Sequence, residues 1–470
     1  MNVSYRQRFT LQLLFVGFLI IYFGREETFF WDTIQLASKH AHWYFENNFQ
    51  YLFLPMEIDS GHPPVFGAIL ALCWTLFGKS LVVSHFFMLP WVWGGIYQIV
   101  DLSNYWIKDK LFVFLTFLVI ADPVLFAHWN LISPDTVLIC CFLLGLRGVL
   151  YDKFWWKMLA MLGLAMISTR GMMTVVALYF FDVLRPYFDD KFIIPSFGIL
   201  WKKALPFIPS GIFAIIFLAG HYQGTGWIGY HEASPWAWHF QKVGLSGLPK
   251  NMAIVLWRMM DFGRVFLFLI IFVGLLRWWN KKMSWSAPLK QLLLLIAVLA
   301  AFLLPTFLIY IGLNSHRYML PLLISISFFT GVLIHKVFER KKWWYIFGIV
   351  ALISGNLWIY PDKIAQAWDN SIAFKPYIDL RKQMHDYISK EGLELSQIGT
   401  AFPEVGPLKY KDLSDTEDGF VHKDMAKQQF VLYSNVMNDY SDEEIDELSK
   451  NWKVRHELKR MGVKLVLYEK

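Results

Sequence analysis

The sequence is poor in charge. Only 17% of its 470 residues are Asp, Glu, Lys or Arg, too few to clothe a soluble chain that is 56% apolar. With a mean hydropathy of +0.40, lipid has to cover what charge does not, which excludes an ordinary water-soluble globule. Cysteine is equally scarce. Cys73, Cys140 and Cys141 sit in apolar runs without CxxC or metal-ligand spacing, which excludes a disulfide framework and a thiolate metal centre. No internal repeat or low-complexity segment is visible, which speaks against transporters built from two related halves. No small-residue cleavage site follows the apolar run at 9–23, so it reads as a retained first helix rather than a signal peptide.

Aromatic residues, in contrast, make up 18% of the chain and include 22 Trp, a bias that suits helix ends at membrane interfaces. Apolar segments long enough to cross a bilayer, or nearly so, fall at 9–24, 81–100, 111–128, 136–150, 155–169, 172–185, 204–220, 263–277, 290–311, 318–335 and 343–360. A shorter run at 64–77 follows Pro63-Pro64. The reading is an all-α polytopic membrane protein of about eleven to thirteen helices over residues 1–360, with a small soluble α/β domain over 361–470. In that domain, 429–433 and 463–468 read as strands and 442–460 as a charged helix.

Alternating helices place Arg6, Arg8, Lys108, Lys110, Lys153, Lys157, Arg185, Lys191, Lys202, Lys203, Arg277, Lys281, Lys282, Lys336, Arg340, Lys341 and Lys342 on one side, which the positive-inside rule makes the cytoplasm. The scheme requires either that 64–77 dip in and return or that a neighbouring helix boundary lie elsewhere. Basic loops therefore account for the net charge of +7, and a nucleic-acid partner is not expected. The first loop (25–63), the loop at 221–262 and the C-terminal domain fall on the opposite, extracytoplasmic side.

Ionisable residues at that outer edge carry the chemistry, because charge at a membrane border is costly unless paired, solvated or used. Asp32 is either a general base for an acceptor hydroxyl or a helix cap. Glu57, Asp59 and His62 precede Pro63-Pro64 and could bind an acceptor, or could be acidic simply because a helix follows. Asp135 follows Ser133-Pro134, and either Ser133 or Asp135 could cap the next helix. Arg170 and Arg317, the latter flanked by His316 and Tyr318, could snorkel to headgroups or grip a phosphate. His221, Tyr222, His231, Glu232, Trp236, Trp238 and His239 suit sugar stacking or a membrane interface equally.

In their order, these features resemble the GT-C superfamily of polyprenyl-phosphate-dependent glycosyltransferases, in particular glycosyltransferase family 39, which includes protein O-mannosyltransferases and the lipid A aminoarabinose transferase. The resemblance rests on Asp32 early in the first loop, His62-Pro63-Pro64 leading to Leu76-Phe77-Gly78, Pro134-Asp135, Thr169-Arg170-Gly171, and His316-Arg317-Tyr318 leading to Leu320-Pro321-Leu322. It covers most of residues 1–335. Two places depart from it. Gly61-His62 stands where the aminoarabinose branch often has an acid followed by Lys, and Thr33 stands where eukaryotic O-mannosyltransferases often have Glu. A bacterial substrate fits better than a eukaryotic one.

The resemblance implies inverting transfer of a sugar from a polyprenyl-phosphate donor to a lipid, glycan or protein acceptor at the outer face of a bacterial cytoplasmic membrane. Asp32 would be the catalytic base. Glu57, Asp59, His62, Asp135, His316 and Tyr318 would line the acceptor or sugar pocket, and Arg170 and Arg317 would bind the lipid phosphate. A divalent cation, Mg or Mn, on Asp32, Glu57 and Asp59 stays open, since no fixed ligand spacing supports it. A polysaccharide polymerase or ligase and a lipid-linked sugar flippase are the competing readings. The polymerase and ligase usually carry their large external loop late in the chain, and a flippase needs charges near mid-membrane.

Overall fold

The computed structural model describes residues 3–188, 196–229, 231–232 and 236–470; Lys191 of the basic loops lies outside them. The helical body opens with α1 (Val3–Gly24), α2 (His40–Glu46), α3 (Val65–Phe77), α4 (Leu81–Trp106), α5 (Phe112–Ile120) and α6 (Pro123–Trp129). It continues with α7 (Pro134–Leu150), α8 (Phe154–Ile167), α9 (Thr169–Phe188), α10 (Phe197–Ala204), α11 (Ile208–Thr225) and α12 (Leu248–Met260). It ends with α13 (Arg264–Asn280), α14 (Ala287–Ile309), α15 (Leu320–Val337) and α16 (Lys341–Gly355). Every apolar segment read from the sequence is helical over most of its length, although the helix in 343–360 stops at Gly355. Among the described residues 4 helical stretches are long and apolar enough to cross a membrane on their own, Tyr5–Gly24, Phe197–Thr225, Ala287–Ile309 and His316–Val337.

Two further apolar stretches are bent. Segment 111–128 breaks between α5 and α6 by 71°, and α12 meets α13 at 89°. The first bend corrects the reading of 111–128 as one straight helix. The second corrects the reading of 221–262 as loop alone, because α12 is an amphipathic helix set across α13. Both breaks are built around charge. Asp122 caps α6, accepting from the amides of Val124 (3.0 Å) and Leu125 (3.2 Å). Arg264, at the start of α13, donates to both Asp122 oxygens at 2.8 Å. A buried, bidentate pair of this kind joins the two bends and is costly to break from either side. The short run at 64–77 is the single helix α3. Its 13 residues span about 20 Å at 1.5 Å each, less than the hydrocarbon thickness.

Asp135 opens α7 and Arg147 lies near its other end, so the site residues and the basic loops occupy opposite ends of the bundle. At that far end Asp101 is paired with Arg6 (3.1 Å) and Arg147 (2.7 Å). Asp182 is paired there with Lys157 and Lys203, both at 2.8 Å.

The C-terminal part contains α17 (Lys375–Lys390), the short α18 (Lys409–Asp412) and α19 (Asp442–Asn451). They accompany strands β1 (Ile398–Thr400), β2 (Gly406–Pro407), β3 (Gly419–His422), β4 (Phe430–Ser434), β5 (Lys453–Arg460) and β6 (Val463–Glu469). The six-stranded sheet runs β2-β3-β1-β4-β6-β5; β1 is parallel to β3 and β4, and the remaining pairs are antiparallel. The charged segment at 442–460 splits, a correction to its reading as one helix. A Ser441–Glu444 capping box starts α19, and Lys453 onward forms an edge strand whose charges suit a solvent-facing edge. The core of this domain takes in Phe30 and Leu131 from the helical body, so the two parts share buried surface at the end of the bundle where Asp32 lies.

Candidate active site

Asp32 follows a clamped segment. Lys375 holds Glu27 at 2.6 and 2.7 Å, and the Phe29 amide donates to the Lys411 carbonyl at 2.8 Å. Phe30 stacks on Phe374 with ring centroids 4.6 Å apart, and Trp31 meets Phe402 edge-on at 5.3 Å. The Thr33 hydroxyl closes the turn by donating to the Phe30 carbonyl at 2.7 Å and accepting from its amide at 3.0 Å. The chain then enters a π-helical stretch, Ile34–Lys39, a widened turn common at functional sites.

Asp135 arrives from α7. Ser133, not Asp135, is the cap, its hydroxyl accepting from the Asp135 amide at 3.2 Å, which frees the Asp135 carboxylate to face the site. Arg170 approaches from α9, whose start packs tightly on the end of α8: a Cβ on Gly171 would lie 1.8 Å from the Leu164 carbonyl oxygen. Gly171→Ala is therefore expected to push the two helices apart and cost about 1–3 kcal/mol of stability, read as a lower melting temperature in detergent.

Arg317 is the hub. It sits in a 3-10 turn, His316–Met319, with its side chain 4% exposed. Its guanidinium donates to Asp32, to Asp135 at 3.5 Å and to the Tyr318 hydroxyl at 3.2 Å, and lies 3.5 Å from Asp369. Arg170 donates to the other Asp135 oxygen at 3.0 Å and stacks over the Tyr318 ring at 4.3 Å. Two guanidinium groups thus face three carboxylates, Asp32, Asp135 and Asp369. Asp369 bears the excess: burial, together with the negative charges of Asp32 and Asp135, pushes it from its ordinary 3.8 up to about 7 against the opposing pull of Arg317.

Beside this cluster His62 accepts from or donates to the Thr169 hydroxyl at 3.0 Å. Burial, and then the Arg170 charge, push it down to about 3, so the imidazole is neutral. His62, Pro64, Gly67, Asp135 and Arg170 line a cavity of about 20 Å³, the scale of one water molecule. The start of α3 forms one of its walls.

This architecture superposes on a crystal structure of ArnT from Cupriavidus metallidurans bound to undecaprenyl phosphate. The alignment covers 99% of this chain and 98% of that one, with a TM-score of 0.54 and 10% sequence identity. The chain has the ArnT fold. A structure of the same ArnT in the apo state aligns over 97% of each chain at a TM-score of 0.49 and 10% identity. No protein-family model and no curated protein matches by sequence. The helical body with a small C-terminal α/β domain that the sequence led us to expect is the architecture observed.

Within the ArnT fold the structure gathers Asp32, His62, Asp135, Arg170, Arg317 and Tyr318 and sends three other expected pocket residues elsewhere. Glu57 is exposed, outside the cluster. The turn in which the Ile58 and Asp59 amides both bond the Pro55 carbonyl at 3.1 Å aims Asp59 inward and Glu57 out. Asp59 accepts from His221 (2.8 Å) and from the Gly61 amide (2.8 Å), so it ties the first loop to α11. His316 points away from its neighbour Arg317, onto Asp261 at 2.9 Å, because a 3-10 turn advances about 120° per residue. Asp32, Glu57 and Asp59 are consequently not gathered into one ligand set, and among the described residues no group of three or more His, Cys, Asp or Glu could hold a metal ion.

Sequence reading misses Asp369 and Asn370. The Asn370 side chain accepts from the Arg317 amide at 3.0 Å and donates to the Ser315 hydroxyl at 3.0 Å. It also misses Asp261 and Tyr360, which meet over His316.

Proposed function

We propose that the chain is a membrane glycosyltransferase that moves a sugar from a polyprenyl-phosphate donor to a lipid, glycan or protein acceptor at the outer face of the cytoplasmic membrane. The observation that carries this reading is the convergence of Asp32, Asp135, Arg170 and Arg317 at one end of a helical bundle with the ArnT fold. A carboxylate held beside guanidinium groups at a membrane border is what an inverting transfer from a lipid phosphate needs. The acceptor hydroxyl loses its proton to Asp32, its oxygen attacks the anomeric carbon from the face opposite the phosphate, and the carbon–oxygen bond to the phosphate breaks with its electron pair leaving on that oxygen. Fixed cations favour the charge that develops there.

Arg170 suits the phosphate better than Arg317. Its side chain is 17% exposed and it lines the cavity, whereas that of Arg317 is 4% exposed and engaged by carboxylates. Tyr318 and the neutral His62 complete a polar edge able to meet sugar or acceptor hydroxyls.

The test is transfer itself. The purified full chain in nanodiscs, given undecaprenyl-phosphate-linked sugars and a membrane extract as acceptor, is expected to release undecaprenyl phosphate and to label a product. Mass spectrometry of glycolipids and glycoproteins from cells with and without the protein identifies that product. No release from any such donor, and no glycan difference between the cells, would overturn the reading. Arg170→Met is expected to raise the KM for the donor about tenfold or more with less effect on folding, because it removes a charge-assisted phosphate contact.

A further inference from the structure

The C-terminal domain is joined to the site by more than packing. Trp368 is buried in the domain core with Phe30 and Leu131, and Asn370 is fastened to the Arg317 amide and the Ser315 hydroxyl. Between them Asp369 is 2% exposed. One of its oxygens accepts from the Asn370 amide group at 2.8 Å, and the other lies 3.5 Å from the Arg317 guanidinium. Among the described residues Arg317 is the only cation that Asp369 meets, whereas Asp135 already has Arg170. The charged groups that act on Asp369 are Arg317 from the turn before α15, Asp32 from the first loop and Asp135 from α7; Tyr318 accepts from the same Arg317, and His128 of α6, which packs against the 368–370 turn, lies in the field of Asp135, Arg317 and Arg170.

A base paired with Arg317 faces a difficulty. Once Asp32 has taken the acceptor proton it is neutral, and the buried guanidinium beside it loses its partner, which is costly. We propose that Asp369 is a positioning residue of the site, sharing Arg317 with Asp32 and taking over the guanidinium when Asp32 turns to the acceptor hydroxyl. This rests on the reading of Asp32 as the base. The proton Asp369 holds near neutral pH leaves to water as Arg317 moves onto it, while Asp32 gains the acceptor proton. The charge of the cluster therefore stays constant through the step. With Asp369 still protonated, Arg317 stays on Asp32 and holds its oxygen away from the acceptor hydroxyl.

The experiment pairs kinetics with infrared spectroscopy on the full chain in nanodiscs. Wild-type release of undecaprenyl phosphate from an undecaprenyl-phosphate-linked sugar is expected to rise with pH through about 7, and the infrared spectrum to show the carbonyl stretch of a protonated carboxylic acid that fades over the same range. Asp369→Asn is expected to remove that band, abolish the limb in the pH profile, and lower kcat at pH 8 about tenfold or more with little change in KM; Asp369→Glu restores part of both. A variant with the wild-type kcat and pH limb would overturn the proposal. So would a wild-type spectrum without the titrating band, a measurement that holds even if Asp369→Asn fails to fold. A wild-type band without transfer from any donor would instead overturn the transferase reading while supporting the shared arginine.

Discussion

Asp32→Asn is expected to lower transfer by a factor of about 10²–10⁴, the usual range for loss of a general base. The substitution keeps the size and shape of the side chain, and Asn retains an oxygen that can still accept from Arg317. What it removes is the capacity to bind the acceptor proton. A variant that inserts normally, melts near the wild type and still releases undecaprenyl phosphate at the wild-type rate would remove Asp32 from the role of base. The control is Glu57→Gln, which alters an exposed carboxylate outside the cluster and is expected to leave the rate within about twofold, in keeping with the small effects of surface substitutions.

Arg317→Met is expected to have the largest effect on stability. It leaves Asp32 without its cation and halves the pairing of Asp135, while Asp369, whose pKa is pushed up to about 7, is relieved only to the extent that it is protonated. Breaking one side of a buried ionic cluster costs about 3–5 kcal/mol. Arg170 still holds Asp135, which places the expected loss nearer 3 than 5 kcal/mol. A melting temperature in detergent, measured at pH 5 and pH 8, checks this. The carboxylates take up protons more readily at the lower pH, so the deficit relative to wild type shrinks there. Arg317→Lys is expected to fall between, because one ammonium cannot reproduce the forked contacts to Asp32 and Asp135. A deficit that is equal at both pH values would mean that the lost methylene packing, rather than stranded charge, sets the cost.

Asp369 itself makes an opposite contribution, and its sign is fixed by its raised value. A carboxyl whose folded pKa lies above its unfolded one adds stability that is fully present below about 4 and is lost as pH rises through about 7. Asp369→Asn, neutral at every pH, is expected to match the wild type below about pH 4 and to melt no lower than it at pH 9.

The sequence made Asp32, Asp135, Arg170 and Arg317 legible because each stands at the end of an apolar run, where an ionisable side chain is anomalous on its own. Asp369 and Asn370 escape notice for the converse reason. They lie in a polar stretch, Gln366 to Ser371, where an aspartate is unremarkable, and only the docking of Trp368 against Phe30 and Leu131 brings them to Arg317. His316 was misplaced by adjacency: neighbours in a 3-10 turn diverge, so sharing a motif with Arg317 does not mean sharing a pocket. The edge strand Lys453–Arg460 was read as helix because its charges, which guard a solvent-facing edge, also look like a solvated helical face. The bends at Asp122 and Asp261 could not be seen because hydropathy over a window is blind to direction.

The clamp on residues 27–31 has a consequence for the order in which the protein is made. Phe374, Lys375, Phe402 and Lys411, which hold those residues, follow them in the chain by hundreds of residues, Lys375 coming 348 after Glu27, and leave the ribosome correspondingly later. The bundle can enter the bilayer helix by helix long before this late segment emerges. The segment leading to Asp32 therefore stays unanchored until the stretch from Phe374 to Lys411 has been released and folded against it.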